Sequence, residues 1–471
     1  MIPTGIPGFD ELVGGLPEGE LVIVAGGPGT GKTIFSASFL YWGGVRYGER
    51  GVYVSLAEDK KTFIENMKRI GYDFESLERR GLFRFIESLT LMESGTSELL
   101  KMIVEEVSEF KARRLVIDSL TALAQGLKEP RELRVFLHSL FSKIMRGLGC
   151  TTILIEEMPF GEERIGYGFE EFVASTVIIL EKDYLDDKFL RRMRIEKLRG
   201  APIPNNRACF TLGNGFEAFP PTKLEKLEKP RSPEPPPDPP NGYSTGIRDL
   251  DVYLGGHPRG STVLLEVDRR VTRGQSHVIT WPQLADFLKK GRPAIALPGM
   301  GSSLRDVNAF HHAYAISEEE QSRARYFLMA NSISQEGAQN IIPYSPRDGV
   351  DALIEALEAS ADKLLREYGT PPLIFLSVDS IEFNYGEDDV LKLISSISAW
   401  TRRSGGLSLL VDKLAYPEIS ERLASISSTY LRLTRKHGCL LLYGVKPRTP
   451  LYAVKSDTRK GYYQTKLIPI T

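Results

Sequence analysis

The sequence contains only three cysteines, Cys150, Cys209 and Cys439, and they lie far apart along its 471 residues. Their spacing matches neither a disulfide framework nor a cysteine metal site, which favours a reducing, cytoplasmic environment. No apolar run approaches the length of a membrane span, and no basic segment followed by an apolar stretch opens the chain. The formal net charge of −1 gives no global reason to expect a nucleic-acid or membrane partner.

A glycine-rich loop near the N-terminus carries the strongest chemical signal. Residues 26–33 read GGPGTGKT and match the phosphate-binding pattern G-x-x-x-x-G-K-[ST]. The apolar run 21–25 before the loop predicts a buried strand, and 34–40 after it predicts a helix. In that context backbone N–H groups converge on a phosphate chain, Lys32 reaches the β- and γ-phosphates, and Thr33 holds Mg²⁺. The sequence therefore predicts a nucleotide site at this loop.

Two acidic positions supply what hydrolysis needs beyond binding. An apolar strand ends in Asp118, which is placed to organise Mg²⁺ through water. A second run, 51–56, is followed at once by Glu58 and Asp59. Because strand ends on the carboxyl side of such a sheet face the nucleotide crevice, Glu58 is predicted to activate the attacking water, with Asp59 as second choice. The alternative is that both acids simply begin the next helix, where carboxylates are favoured.

The segment 193–200 adds two cations. Lys197 and Arg199 are two residues apart and therefore lie on one side of a predicted strand. Such a pair can stabilise charge on a transferring phosphoryl group, often one held by a neighbouring subunit. The alternative is an ordinary solvated strand face.

The two halves of the chain repeat one another. The pattern T-G-I…D…G-G-x-P-x-G begins at Thr4 and returns with the same spacing at Thr245. Between the copies, a lysine- and glutamate-rich stretch followed by dense prolines favours an extended, semi-rigid spacer. Apolar runs alternate with helical stretches in both halves, so each half is predicted to be a mostly parallel sheet flanked by helices. The predicted domains are therefore 1–222 and 243–471, joined by the linker 223–242.

In the first half the individual elements can be assigned. Helices are predicted over 62–70, 97–110 and 132–148. Strands are predicted over 21–25, 51–56, 115–117, 152–155, 177–180 and 193–197, the last two as an antiparallel pair.

Together these residues resemble the KaiC family within the RecA-like ATPases. The resemblance runs from GFDELVGGLPEGELVIVAGGPGTGKTIFSASFLYWG through GVYVSLAED, RRLVIDSLTAL and GYGFEEFVASTVIIL to RIEKLRG, which spans the first half. It implies an α/β fold of two tandem RecA-like P-loop NTPase domains, with ATP and Mg²⁺ bound between adjacent subunits of a hexameric ring. Lys197, Leu198 and Arg199 would reach the nucleotide of the neighbouring subunit. The implied contacts to phosphate and Mg²⁺ are Gly29, Thr30, Gly31, Lys32, Thr33 and Ile34.

Two departures from the family pattern stand out. The family usually carries two adjacent glutamates after the second strand, whereas here Ala57 stands in the first position and only Glu58 remains. The segment 201–204, APIP, also differs from the family's usual polar residues. The first departure bears on the rate of hydrolysis and leaves binding unaffected.

The second half keeps the repeat and lacks the phosphate loop. On the repeat spacing Lys32 falls on Arg273, and the loop 267–274 reads VDRRVTRG. The acid after the matching second strand is missing, and Asp379, near the end of a surviving strand, is interpreted as a relic of the fold rather than a metal ligand. This half also has no serine–threonine run like the family's autophosphorylation segment, so a clock-type phosphorylation role is not supported.

Two further groups of residues in the second half have competing interpretations. Arg269, Arg270 and Arg273 form either an anion patch for nucleic acid or a partner, or a solvated loop. The adjacent His311 and His312 have poor spacing for joint metal ligation and are interpreted as surface or packing residues.

The sequence thus predicts slow hydrolysis of Mg-ATP by the first domain and an assembly or partner platform in the second. The predicted catalytic residues are Glu58, Lys197 and Arg199, and the predicted Mg²⁺ ligands are Thr33 and Asp118. One alternative is an assembly switch driven by ATP binding without turnover, which Ala57 favours. Another is a RecA-like DNA-acting motor, against which the neutral charge and the lack of a recognisable DNA-binding domain argue.

Overall fold

Apolar strands assemble into one large, mostly parallel sheet in each half of the chain, and helices flank both sheets. The computed structural model describes residues 1–87, 96–125, 135, 137–139, 147–159, 173–223, 225–330, 340–413 and 417–471. These residues divide into two compact units. The first unit comprises Met1–Pro221, His437–Cys439 and Pro469–Thr471, and the second comprises Thr222–Lys436 and Leu440–Ile468. The helix predicted over 132–148 lies largely outside the described residues.

The first unit contains nine strands and six helices within its described part. The strands are β1 (Leu21–Gly26), β2 (Gly51–Ser55), β3 (Phe83–Glu87), β4 (Arg114–Asp118), β5 (Thr151–Glu157), β6 (Thr176–Leu185), β7 (Lys188–Leu198), β8 (Arg207–Thr211) and β9 (Glu217–Phe219). The helices are α1 (Phe9–Val13), α2 (Lys32–Tyr47), α3 (Lys60–Arg69), α4 (Phe74–Arg79), α5 (Thr96–Phe110) and α6 (Leu120–Gln125).

The nine strands form a sheet in the order β3-β2-β4-β5-β1-β6-β7-β8-β9. Pairing is parallel from β3 to β6 and antiparallel from β6 to β9. The predicted antiparallel pair at 177–180 and 193–197 is therefore present, and both strands extend further than predicted. Alternate residues of β1 enter different hydrophobic clusters, Val22 and Val24 on one face and Leu21, Ile23 and Ala25 on the other. Burial on both faces explains why this central strand reads as a continuous apolar run.

The second unit contains a ten-stranded sheet and a separate two-stranded ribbon of β10 (Gly242–Tyr243) and β11 (His257–Pro258). The sheet strands are β12 (Ser261–Val267), β13 (Ala294–Leu297), β14 (Ala324–Met329), β15 (Ile341–Tyr344), β16 (Leu373–Ser377), β17 (Leu407–Lys413), β18 (Thr429–Lys436), β19 (Cys439–Lys446), β20 (Tyr452–Asp457) and β21 (Gln464–Pro469). The α-helices are α7 (Arg248–Leu254), α8 (Arg273–Lys289), α9 (Leu304–Ala313), α10 (Glu318–Ser322), α11 (Gly349–Tyr368), α12 (Val378–Tyr385), α13 (Glu387–Ser404) and α14 (Pro417–Ile426).

The order of the second sheet is β15-β14-β13-β16-β17-β12-β18-β19-β20-β21. Apart from the additional edge strand β15, it matches the first sheet strand for strand. The fold predicted from the sequence, two tandem RecA-like α/β domains, is therefore confirmed.

The two copies of the sequence repeat form the same hydrogen bond. Asp10 Oδ1 accepts from the Thr4 backbone N–H at 3.0 Å, and Asp251 Oδ1 accepts from the Thr245 N–H at 2.7 Å. Each carboxylate thus closes the turn before the first short helix of its unit. This explains why the threonine and the aspartate recur at the same spacing.

The proline-rich segment forms neither helix nor strand over 225–241. The Asp238 carboxylate pairs with Lys290 at 2.8 Å and with Arg292. These hydrogen bonds outweigh burial and lower the pKa of Asp238 to about 2. The end of the segment is therefore fixed to the second unit by charged hydrogen bonds.

Candidate functional site: the phosphate loop and its carboxylates

The phosphate loop connects the end of β1 to the start of α2, as the sequence predicts. Gly29 and Gly31 have φ angles of +68° and +103°, which L side chains rarely adopt. A Cβ on Gly31 would also lie 2.9 Å from Leu212 Cδ1. Backbone conformation therefore favours glycine at both positions, and packing against Leu212 requires it at Gly31 as well.

Lys32 is the first residue of α2, and its ammonium group bonds back to the start of the phosphate loop. Its Nζ donates to the carbonyl oxygens of Gly26 and Gly27 at 2.9 and 3.0 Å. Burial lowers the pKa of Lys32, while Glu157 and Asp118 act in the opposite direction. The cation is thus partly desolvated and bonded only to neutral carbonyls among the described residues. Such a cation is well placed to exchange those carbonyls for phosphate oxygens.

A three-residue chain joins the loop to the second predicted metal ligand. Thr33 Oγ1 donates to Asp118 Oδ2 at 3.0 Å, and the Tyr53 hydroxyl donates to the same oxygen at 2.6 Å. Tyr53 is fully buried, and that burial, followed by the Asp118 charge, raises its pKa well above the usual range. The phenol therefore remains protonated and keeps donating to the carboxylate. Sequence reasoning found Thr33 and Asp118, but missed Tyr53, which projects from the neighbouring strand β2.

The two acids after β2 have different roles. Asp59 is the N-cap of α3 and accepts from the Thr62 N–H at 2.9 Å. Glu58 precedes the cap, is half-buried, and accepts from Asn66 Nδ2 at 3.0 Å. Burial raises the pKa of Glu58, and the nearby Asp118 charge raises it further. The helix-start interpretation thus describes Asp59, whereas Glu58 lies close enough to the predicted metal ligand Asp118 for that charge to affect its pKa.

The other predicted phosphate contacts are held by the loop and the core. The Thr30 hydroxyl donates to the Gly27 carbonyl at 2.9 Å, and the residue is buried. The side chain of Ile34 packs against the hydrophobic cluster beneath α2. These two residues can therefore meet a phosphate through their backbone N–H groups.

Two cations that the sequence analysis missed flank the loop from the paired strands β6 and β7. Arg191 Nη1 donates to the Gly29 carbonyl at 3.1 Å. Lys182 pairs with Arg191 in the antiparallel register, and its Nζ lies 3.2 Å from where a Cβ on Gly29 would be. The strand pair was predicted, and the register of that pair is the signal that would have identified these residues.

The predicted in-trans residues lie away from the loop of their own unit. Lys197 and Leu198 end β7, opposite Val177 and Thr176, at the start of β6. Because β6 runs parallel to β1, with Thr176 beside Val22, this is the amino edge of the sheet, and the phosphate loop is at the carboxyl edge. The Leu198 side chain is buried in the core, whereas Arg199 is exposed in the following turn.

The first unit therefore offers oxygen ligands suited to a hard cation. The Thr33 hydroxyl and the Asp118 carboxylate lie 3.0 Å apart beside the loop, and Mg²⁺ prefers such oxygens together with phosphate and water. Among the described residues no group of three His, Cys, Asp or Glu side chains could hold a metal by itself. The predicted metal site therefore has two protein oxygen ligands, and a bound phosphate chain and water would supply the others.

Strand register relates the second sheet to the first residue by residue. Leu154 of β5 pairs with Ile23, and Leu410 of β17 pairs with Leu264, which is the repeat partner of Ile23. One strand further, Ile117 pairs with Leu154 and Leu376 pairs with Leu410. The next residue after each is Asp118 in one unit and Ser377 in the other. The counterpart of Asp118 is therefore Ser377, and Asp379 lies in the first turn of α12.

The other residues singled out in the second half have local partners. Arg270 pairs with Asp268 at 2.6 Å, and Arg273 donates to the Met300 carbonyl. His311 is buried and hydrogen-bonds the Tyr326 hydroxyl at 2.8 Å, as the packing interpretation predicts, whereas His312 is exposed. Arg270 and Arg273 are thus each bonded locally, and Arg269 is exposed, so the three arginines do not form one unpaired patch.

Comparison with known proteins places these features in context. The family model described as ATPase: KaiC matches residues 2–219. The UPF0273 protein PH0284 of Pyrococcus horikoshii is 32% identical over 241 residues, which cover 48% of this chain and 96% of that protein. The circadian clock protein KaiC2 of Synechocystis sp. is 33% identical over 275 residues, which cover 56% of this chain and 46% of that protein.

A solved structure, that of the KaiC-like protein PH0186 of Pyrococcus horikoshii, is 38% identical in sequence. It covers 46% of this chain and 98% of its own, with a TM-score of 0.42. Among the described residues of the present chain, no helix has both the length and the apolar character needed to cross a membrane.

Proposed function

Because this chain belongs to the KaiC-like family of RecA-superfamily P-loop ATPases, we propose that its first domain, 1–222, binds Mg-ATP and hydrolyses it slowly. The observation that carries the proposal is the connected set of Lys32, Thr33, Asp118 and Glu58 around one loop. The family accounts for nucleotide binding, and the placement of these side chains supports turnover.

Binding would begin with an exchange of partners at the loop. Lys32 leaves the Gly26 and Gly27 carbonyls, 2.9 and 3.0 Å away, for the β- and γ-phosphate oxygens. The Thr33 hydroxyl turns from Asp118 toward the metal, while Tyr53 continues to hold the carboxylate. Thr33 and Asp118 would hold Mg²⁺, which when bound would supply neutralisation of the negative charge on the phosphate chain.

Glu58 is proposed to orient and deprotonate the attacking water. The water oxygen bonds to the γ-phosphorus, the bond to the β,γ-bridging oxygen breaks, and ADP leaves with that electron pair. The water proton passes to Glu58 and then to solvent. Burial raises the pKa of this carboxylate toward the operating range of a general base. Since Ala57 offers no second carboxylate, slow turnover is expected.

The nucleotide is proposed to lie between subunits of a homohexamer, completed by the neighbour's Lys197, Leu198 backbone and Arg199. The opposite-edge position of these residues supports this arrangement, because they cannot serve the loop beside their own β1. In the proposed ring, the amino edge of one sheet would meet the carboxyl edge of the next. The second domain, 243–471, is proposed to serve as a non-catalytic assembly or partner platform, joined through 223–242.

A binding and turnover experiment on the full chain tests the catalytic assignment. We expect Lys32→Ala to lose ATP binding, and Glu58→Gln to keep binding while its turnover falls about 10²-fold or more. Asp59→Asn is the matched control, since asparagine caps a helix as well as aspartate does. If Lys32→Ala and Glu58→Gln hydrolysed ATP as fast as the parent, the assignment would be wrong.

The in-trans residues need a separate measurement. Arg199→Gln is expected to lower turnover with little change in ATP affinity, and turnover per subunit of the parent should rise with protein concentration. Turnover independent of concentration down to the monomer would contradict the interface model.

An ATP-dependent assembly switch is the second candidate, and Ala57 is the observation that favours it. A mass measurement of the assembled state with ATP, ADP and no nucleotide, beside a phosphate-release assay, separates the two. Assembly that follows ATP binding without phosphate release supports the switch.

A further inference from the structure

A cavity of about 210 Å³ lies at the carboxyl edge of the second sheet. Its walls include the ends of β12, β13, β16 and β17, represented by Val267, Ala296, Ser377 and Lys413. Val267 pairs with Lys413 as Gly26 pairs with Glu157 in the first unit. The cavity therefore occupies the position in the second fold that the phosphate loop occupies in the first.

Helix α8 turns one complete face toward this cavity. Arg273, His277, Trp281 and Leu284 recur every three or four residues, so they share a side of the helix, and all four line the cavity. If these side chains contacted only the hydrophobic core, their role would be packing alone. Here the stripe runs from a cation at the helix start to apolar side chains deeper along the helix.

The interior of the cavity is shaped by aromatic rings. Trp281 stacks on His277 at a centroid distance of 4.0 Å and meets Phe310 edge to face at 5.6 Å, with Tyr326 and Phe375 also in the wall. Burial lowers the pKa of His277 to about 4, so this ring is neutral near pH 7. Flat rings favour a flat guest. An apolar cavity of roughly 150 Å³ admits benzene, so the larger volume here admits one ring with a substituent.

The wall of the cavity carries two cations, Arg273 and Lys413, and two carboxylates, Asp306 and Asp379. Asp306 accepts from Ser303 N–H at 2.9 Å, and Asp379 accepts from a serine hydroxyl at 2.5 Å. Among the described residues, Arg273 donates only to the Met300 carbonyl, and Lys413 has no hydrogen-bond or ion-pair partner. The two carboxylates are thus each held by a serine, whereas neither cation has a carboxylate partner among the described residues and both can meet an anionic group.

We propose that this cavity binds a small aromatic carboxylate, with its ring against Trp281 and its carboxylate at Arg273 and Lys413. The planar guanidinium of Arg273 matches a carboxylate in two-pronged geometry. The cavity is smaller than the roughly 300–1,000 Å³ typical of pockets for drug-sized ligands, so a one-ring ligand fits its volume better than a nucleotide does. The second domain then has a ligand of its own, whether or not the first domain hydrolyses ATP.

Isothermal titration of the full chain with benzoate tests this proposal, beside benzyl alcohol, which keeps the ring, and acetate, which keeps the charge. We expect saturable binding of one benzoate per chain, and at least tenfold weaker binding of the other two. Trp281 fluorescence should change with the same concentration dependence, and Trp281→Phe should abolish that change.

Matched variants locate the binding. Arg273→Gln and Lys413→Gln are each expected to weaken benzoate binding about tenfold and to leave benzyl alcohol binding unchanged, which also shows that the fold is intact. Arg269→Gln removes a cation from the same loop, exposed and outside the cavity wall, and should bind benzoate as the parent does. The proposal is overturned if the parent shows no saturable benzoate binding at millimolar concentration. It is equally overturned if Arg269→Gln loses as much affinity as Lys413→Gln.

Discussion

Replacing Tyr53 tests how the first domain holds its metal-binding carboxylate. Tyr53→Phe removes one hydroxyl, 2.6 Å from Asp118 Oδ2, and keeps the ring packed against Phe63 and Phe85. The residue is fully buried, so water cannot take the place of the lost donor. Once Thr33 turns to the metal, Tyr53 is the remaining side-chain donor to Asp118 among the described residues. The variant should therefore loosen the carboxylate in the loaded state.

The expected size follows from the chemistry of this bond. A hydrogen bond to a charged group contributes about 1.5–3 kcal/mol, and the partly exposed Asp118 favours the lower end. Since about 1.4 kcal/mol corresponds to a tenfold change, the half-saturating Mg²⁺ concentration for binding a fluorescent ATP analogue should rise about tenfold. Binding of the analogue without Mg²⁺ should not change.

Tyr41→Phe provides the control for Tyr53→Phe. This tyrosine belongs to the same domain and stacks on Tyr72 at a centroid distance of 4.5 Å. It should leave the Mg²⁺ titration unchanged. An unshifted titration for Tyr53→Phe, or equal shifts in both variants, would refute the reasoning.

Two further predictions concern the buried charges of the first domain. Arg114 is fully buried and binds Glu49 and the carbonyls of Thr4 and Phe39, so Arg114→Met should cost about 3 kcal/mol of unfolding free energy. Urea unfolding measures this loss, and Arg113→Met, at an exposed neighbour, should stay within about 0.5 kcal/mol of the parent. Asn66→Ala removes a donor that favours ionised Glu58, so its pKa rises further. Because the base acts ionised, the acid limb of the turnover–pH profile should move to higher pH, and a downward shift would contradict the assigned role.

The parts of the site that sequence reasoning found are those encoded over short stretches. The loop 26–33 and the strand ending at Asp118 each carry their signal within a few residues, and so does the repeat that begins at Thr4 and Thr245. Fold class followed from the alternation of strands and helices, because that pattern records which faces are buried. The separation of Glu58 from Asp59 was left open, since a helix cap and a base look alike until the Thr62 N–H is located.

The parts that were missed depend on contacts between distant segments. Tyr53 reaches Asp118 across 65 residues, and Arg191 reaches Gly29 across 162. Neither side chain belongs to a motif, so only strand order and register bring it to the site. The same holds for Ser377, which takes the place of Asp118, whereas the local pattern of an apolar run followed by Asp and Ser pointed to Asp379.

Gly26 pairs with Glu157 in the first unit, and Val267 pairs with Lys413 at the same position in the second. The carboxyl edge of the sheet thus carries an acid in one unit and a base in the other. In each fold the strand interiors make the core, and the residues that decide ligand chemistry are the terminal ones at a shared edge. Exchanging an acid for a base there alters no buried apolar contact. A duplicated domain can in this way change its ligand while the packing of its core is kept.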